Sequence, residues 1–168
     1  SGLTAAKEAL SFSSPHIDDI RSDIGRSIMQ IVGSNYQQLG VERSNEMIDT
    51  ISPILRQNLK LHPMDIRNQM MLSQLAQIKA FMNNDGKEMS EAADYLIDAR
   101  RYSPRRQQIV YALTNIYWQV GKINESLELL EDVFSDDPNV SETYWRLAYA
   151  YYLADNKQKA RDIIALAE

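Results

Sequence analysis

The fold is decided by residues 107–138, which read QQIVYALTNIYWQVGKINESLELLEDVFSDDP. Apolar residues recur here at the three- and four-residue spacing of an α-helix, first before and then after Gly121. Asn124, just behind this glycine, is expected to cap the second helix. The stretch therefore predicts two helices joined by a tight turn. The inward positions are Leu113 and Tyr117 on the first helix and Ser126, Leu130 and Val133 on the second.

The stretch that follows, residues 141–168, repeats this layout. Asp155–Asn156 supplies the turn signal between its two helices. Small residues at Ala148 and Ala160 mark positions where the helices approach closely. The inward positions are Tyr144, Leu147, Ala148 and Tyr151 on the first helix and Ala160, Ile164 and Ala167 on the second.

Prolines mark the ends of these helical hairpins, and Pro104 and Pro138 lie 34 residues apart. This is the period of the tetratricopeptide repeat (TPR). With small residues at its eighth and twentieth positions, an aromatic at the eleventh and a closing proline, the pattern resembles the TPR family. The first unit departs from it with Thr114 and Ser126, which are still small, and the second lacks the closing proline. The resemblance implies an all-α, TPR-like right-handed solenoid of antiparallel helical hairpins.

Upstream, the same organisation continues with less regular lengths. Residues 65–104 predict a long hairpin with a turn at Asn83–Gly86, and the interval from Pro63 to Pro104 is seven residues longer than the standard period. Residues 17–63 predict an irregular hairpin in which Pro53 kinks or restarts the second helix, with Ser52 as its cap. Residues 5–14 predict a partial helix. We expect one helical repeat domain over residues 1–168, in which the hairpins 107–138 and 141–168 come last. We also expect the chain to be a fragment of a longer protein.

Composition excludes several classes of function. The net charge of −5 gives no basic field for nucleic acid, and there are no cysteines for disulfides or thiolate chemistry. No apolar run approaches the roughly 20 residues that span a bilayer. His16 and His62 have no partner at metal-ligand spacing, and no phosphate-binding or nucleophile motif is present. We expect no metal, no cofactor and no catalysis, in a soluble fragment from the cytoplasm or periplasm.

The resemblance also implies a partner-binding surface. In TPR proteins the inner surface is lined by defined first-helix positions, and here these carry five aromatic rings interleaved with amides. Such rings combine apolar area with polar tips, as protein- and sugar-binding surfaces do. The alternative is that Trp145, Tyr149 and Tyr152 are covered by further helices or pack against each other. The residues of this predicted aromatic groove are Gln108, Tyr111, Asn115, Trp118, Glu142, Trp145, Tyr149 and Tyr152.

A basic cluster surrounds Pro104. Arg105 and Arg106 lie at the start of a predicted helix, where the helix dipole disfavours cations. The two interpretations are an ordinary solvated corner and a contact to an anion, an acidic partner or a lipid headgroup.

Two functions from different classes follow. The first is a non-catalytic scaffold that binds a protein or peptide in the aromatic groove. The second rests on a looser resemblance, carried by Leu61–Asp65 and Arg101–Pro104, to repeats appended to bacterial O-antigen ligase or polymerase-like membrane proteins. It implies an accessory domain tethered beside an inner-membrane enzyme of surface-polysaccharide assembly, in contact with glycan or the membrane protein.

Overall fold

The computed structural model describes residues 2–11 and 16–166, and in these ranges all regular structure is α-helical. The helices form two compact units, residues 1–102 and 103–168. The predicted all-α class is confirmed. Ala167, predicted as an inward position, and residues 12–14 of the predicted partial helix lie outside the described residues. The prediction of a single domain stays a prediction.

The first unit contains five of the helices: α1 (Gly2–Ser11), α2 (Ile17–Leu39), α3 (Val41–Leu61), α4 (Ile66–Asn83) and α5 (Gly86–Tyr102). Helices α2 and α3 pack as a hairpin, and α4 packs across both while pairing with α5. Burial of branched aliphatic side chains supplies most of the stabilisation. The central core residues, all buried, are Ile28, Val32, Met47, Ile48, Ile51, Leu55, Met71, Leu72 and Leu75.

Helix α3 runs without a break through Pro53, so the predicted restart with Ser52 as a cap is wrong. Ser52 is instead buried inside the helix. Ile51 and Leu55, on either side of the proline, are both fully buried in the same core. This packing holds one continuous helix even though proline removes a backbone donor.

The turn of the long hairpin follows the sequence signals. Asp65 caps α4 by accepting a hydrogen bond from the Asn68 backbone N–H at 3.2 Å. Asn84 ends α4 in the left-handed conformation, with φ of 52°, a conformation that asparagine tolerates. The Ser73 hydroxyl donates to the Ala92 carbonyl at 2.8 Å and ties α4 to α5.

The second unit consists of α6 (Gln107–Gln119), α7 (Ile123–Asp136), α8 (Ser141–Leu153) and α9 (Lys157–Ala165). Gly121, with φ of 75°, makes the turn between α6 and α7. Helix α7 starts one residue before Asn124, which therefore lies inside the helix and does not cap it. Asn156 does cap α9, accepting from the Lys159 N–H at 3.2 Å.

None of the helices within the described residues combines the length and the apolar content needed to cross a membrane.

Candidate functional site: an arginine-centred aromatic cluster and an adjoining cleft

Helix α8 packs against the α6–α7 hairpin through apolar and polar contacts. Leu147 of α8 and Leu130 of α7 are both buried in the core of the second unit. The hydroxyls of Tyr111 on α6 and Thr143 on α8 are hydrogen bonded at 2.6 Å. The 34-residue repeat therefore brings equivalent faces of α6 and α8 side by side.

Arg146 lies at the centre of the predicted groove, with only 11% of its side chain exposed. Its Nε donates to Glu142 Oε1 at 2.7 Å, one turn earlier on α8. Its Nη1 donates to Asn115 Oδ1 at 2.8 Å, on α6. The guanidinium thus links the two helices through hydrogen bonds in which at least one partner is charged, the stronger class.

Three aromatic rings surround the same guanidinium. Its Cζ lies 4.7 Å from the ring centroid of Tyr111, 5.8 Å from that of Trp118 and 4.6 Å from that of Trp145. At these distances a cation is attracted to the faces of aromatic rings. We call Arg146 with Tyr111, Asn115, Trp118, Glu142 and Trp145 the Arg146 cluster.

Glu142 is shared between the cluster's arginine and a tryptophan. Trp145 Nε1 donates to Glu142 Oε2 at 2.9 Å. This hydrogen bond, followed by the one from Arg146, lowers the pKa of Glu142 below its usual value. The carboxylate is therefore held ionised and acts as an acceptor within the cluster.

Trp118 is the structural anchor of the cluster. Its Nε1 donates to the Ser126 hydroxyl of α7 at 2.9 Å. Its ring meets Tyr149 edge-on, with centroids 5.0 Å apart, and lies 6.5 Å from the ring of Trp145. Both contacts fall within the range of favourable aromatic pairs.

Beside this cluster, α8 and α9 enclose an open cleft of about 460 Å³. Ile164 was predicted to face inward, but it is 54% exposed and lines this cleft. We call this feature the α8/α9 cleft. Its walls are Trp145, Ala148, Tyr149 and Tyr152 from α8 and Lys157, Ala160, Arg161 and Ile164 from α9.

The structure brings five of the eight predicted groove residues together in the Arg146 cluster and leaves Gln108, Tyr149 and Tyr152 outside it. Tyr149 and Tyr152 line the α8/α9 cleft, and Gln108 is an exposed residue in the first turn of α6. The role of all eight residues in binding stays a prediction. Sequence reasoning missed Arg146, although its spacing from Glu142 is that of a helical ion pair.

Arg105 and Arg106 are exposed at the start of α6. Arg105 lines a surface depression of about 320 Å³ together with Asp136 and Asp137. Two carboxylates beside an arginine compete with any added anion. The anion contact predicted for the two arginines stays a prediction. The carboxylates of Asp136 and Asp137 beside Arg105 disfavour an anion at that residue.

Within residues 2–11 and 16–166, no group of three metal-ligating side chains is close enough to hold an ion. His62 ends α3, with its Nε2 atom 3.0 Å from Asp18 Oδ2. This is a pairing between α2 and α3 that ties the hairpin together.

Comparisons with known proteins bear on the fold. No protein-family model matches the chain, and no curated protein matches it. A crystal structure of MamA is similar with a TM-score of 0.68 and 19% sequence identity, over 98% of this chain and 84% of that one. MamA is a TPR-repeat protein, so this likeness confirms the TPR-like helical-repeat fold.

Two further MamA structures are more distant. One has a TM-score of 0.45 and 15% identity, covering 86% of this chain and 90% of that chain. The other, a mutant, has a TM-score of 0.44 and 13% identity, covering 89% and 97%.

Proposed function

We propose that this chain is a non-catalytic scaffold of the TPR type that binds a protein or peptide partner through the aromatic groove. The observation that carries the proposal is a row of exposed rings on α8. Trp145, Tyr149 and Tyr152 are 48%, 44% and 58% exposed. Contiguous exposed aromatic surface of this kind is typical of interaction sites.

The rings offer enough area to matter for affinity. An aromatic side chain buries about 150–250 Å² when fully covered. At about 25 cal/mol per Å², covering the exposed half of one ring contributes on the order of 2 kcal/mol. Three such rings supply an energetic centre for an interface, and tyrosine and tryptophan are enriched at such centres.

The Arg146 cluster supports the proposal because it holds the rings in place. Trp145 is stacked on the guanidinium and hydrogen bonded to Glu142, and Tyr149 rests on Trp118. Side chains that are already ordered lose less conformational entropy when a partner binds. The rigid part of the groove therefore lies on the α6 side and the accessible part on α8.

The same cluster argues against catalysis. Its carboxylate, Glu142, has a lowered pKa, whereas a general acid needs a raised one. Its arginine is used in contacts to Glu142, Asn115 and three rings. With a net charge of −5, nucleic acid is not the partner that we propose.

A peptide-display selection on the wild-type chain tests this function. Peptides that it yields should bind with micromolar affinity in fluorescence anisotropy, and Tyr149→Ala with Tyr152→Ala should weaken binding at least about tenfold, or 1.4 kcal/mol. The control is Tyr102→Ala, an equally exposed aromatic in the first unit. Selected peptides that bind all three proteins equally would overturn the proposed site.

The alternative is an accessory domain of an O-antigen ligase or polymerase-like membrane protein that contacts glycan. It remains a hypothesis, and no observation on the described residues favours it. Both tryptophans of the chain lie in the Arg146 cluster, so oligosaccharide bound in the groove would change their fluorescence. An unchanged emission spectrum at millimolar oligosaccharide would count against this alternative.

A further inference from the structure

The α8/α9 cleft has a counterpart inside the same unit, and that counterpart is filled by a helix. The α6–α7 hairpin presents Tyr111, Trp118 and Leu130 to α8. Trp118 meets Tyr149 of α8 edge-on at 5.0 Å, and Leu130 is buried in one core with Leu147 of α8. An apolar helix face lying in a hairpin cleft is thus a packing mode that this chain already uses.

A shift of 34 residues superimposes this occupied cleft on the open one. The positions equivalent to Tyr111, Trp118 and Leu130 are Trp145, Tyr152 and Ile164, and all three line the α8/α9 cleft. The difference is in burial. Leu130 is 0% exposed, whereas Ile164 is 54% exposed. The open cleft therefore has the apolar floor of a helix-binding site, and no helix of the described residues lies on it.

The two clefts differ in charge along their second helix. Ile123 and Leu127 of α7 are replaced, 34 residues later, by Lys157 and Arg161 of α9. Both cations line the α8/α9 cleft, and no carboxylate among the described residues is part of its lining. A helix bound in the α8/α9 cleft would therefore meet two cations at positions that are apolar on α7, which favours negative charge on that side of the helix.

The two cations are available to such a partner. Lys157 lies 3.5 Å from Asp155, a contact in which both side chains are well exposed, so it is worth little. Arg161 makes no ion pair with any residue of the described ranges. Lys157 is also the first residue of α9, where the positive end of the helix dipole disfavours a cation and favours an incoming carboxylate.

We propose that the α8/α9 cleft binds one amphipathic helix from a partner protein. The apolar stripe of this helix lies on Tyr149, Tyr152 and Ile164. Carboxylates along one flank of the stripe pair with Lys157 and Arg161. The inference rests on the proposed function and deepens it, since it names the partner's chemistry.

Two labelled helical peptides of about 20 residues test the inference. Each forms a helix of about 30 Å, which is longer than α8. Both carry the same leucine and alanine stripe, and one has glutamates along a single flank where the other has glutamines. We expect the glutamate peptide to bind the wild-type chain at least tenfold more tightly at low salt. This preference should shrink as salt rises.

Charge reversal in the protein provides the second arm. The double variant Lys157→Glu with Arg161→Glu should lower the affinity for the glutamate peptide at least tenfold. Its affinity for the glutamine peptide should stay within about twofold of the wild-type value. Both sites are exposed, so folding should persist, as circular dichroism would show. The matched control is Lys87→Glu, an exposed lysine in the first turn of α5, which should change neither affinity.

Equal affinity for the two peptides, or binding that is insensitive to charge reversal, would overturn the inference. Absence of binding up to about 1 mM peptide would also overturn it. If display-selected peptides still depend on Tyr149 and Tyr152 in that case, the proposed function stands. If they do not, both proposals fail.

Sedimentation of the chain alone tests the other occupant, a second copy. We expect a monomer for the wild type and for Ile164→Arg. Self-association that Ile164→Arg abolishes would assign the cleft to a second copy and overturn the partner helix.

Discussion

Arg146 organises the candidate site, because its guanidinium contacts side chains from α6 and α8. It donates to Glu142 and Asn115 and lies over the rings of Tyr111 and Trp145. A hydrogen bond to a charged group contributes about 1.5–3 kcal/mol, and a partly buried cation–π contact adds about 0.5–2 kcal/mol.

We therefore expect Arg146→Ala to lower the free energy of unfolding of the second unit by about 2–4 kcal/mol. Arg146→Lys should recover only part of this, because lysine lacks the planar fork. Urea unfolding followed by tryptophan fluorescence reports this unit, since Trp118 and Trp145 both belong to it. Arg161→Ala, at an exposed site, should stay within about 0.5 kcal/mol of the wild type; an equal loss in both variants would contradict a special role for Arg146.

Tyr151 gives the second unit a dependence on alkaline pH. Burial, and then its hydrogen bond to Glu131, raises the pKa of Tyr151 from 10.0 to about 12. As pH rises, Tyr151 therefore ionises in the unfolded chain before it does so in the folded one. Its contribution to the free energy of unfolding is full below pH 10 and is lost as pH rises toward 12.

The variant Tyr151→Phe should lose less stability than the wild type between pH 10 and 12, although it starts about 1 kcal/mol lower at neutral pH because the hydrogen bond is gone. Urea midpoints at several pH values measure this. The conservative comparison is Tyr102→Phe, an exposed tyrosine in the first unit. Parallel pH profiles for the wild type and Tyr151→Phe would contradict the pKa assignment.

Helix α2 contains two glycines, Gly25 and Gly33, whose surroundings differ in the space they leave for a side chain. A Cβ atom on Gly25 would lie 2.6 Å from Met71 Sδ and 3.1 Å from Leu55 Cδ1. A Cβ atom on Gly33, in the same helix, would meet only Ile78 Cδ1 at 3.8 Å. The first glycine permits close packing of α2 on α3 and α4, and the second only weakens the helix.

Alanine at the two positions should therefore act in different ways. Gly33→Ala should stabilise the first unit by about 0.5–1 kcal/mol through helix propensity. Gly25→Ala gains the same propensity but must displace neighbours, so it should be less stable than Gly33→Ala by about 1–3 kcal/mol. Denaturation followed by circular dichroism checks the pair, and equal stability would show that the core around Gly25 adapts freely.

Some boundaries that depend on local turn chemistry were predictable from sequence, although Asn124 does not form the predicted cap, and features that depend on packing were not predictable. Asn84 and Asn156 act at turns as their residue types indicate. The restart predicted at Pro53 does not occur, and Ile51 and Leu55, on either side of it, are both buried in the core. Ile164 fits the inward pattern of its repeat, yet its exposure depends on what covers α8 and α9, which a repeat pattern cannot specify.

At the scale of the whole molecule, the repeat fold followed from the 34-residue spacing and is confirmed by the likeness to MamA. The site was only partly predictable. Family positions on α6 and α8 identified the rings, but they could not show that Trp118 bonds Ser126 or that Arg146 occupies the space between the rings. Such contacts join different helices, across the α6–α7 turn for Trp118 and Ser126 and between repeats for Arg146 and Asn115, and the periodicity within one helix does not specify them.

The central claim, that the exposed face of α8 and the α8/α9 cleft bind a partner, is tested most directly by mapping a bound peptide with ¹H–¹⁵N NMR. The account predicts chemical-shift changes at the Trp145 indole and at backbone amides of residues 145–164, with residues 17–61 unaffected. Changes confined to the first unit, or to the Arg105 end of α6, would contradict it.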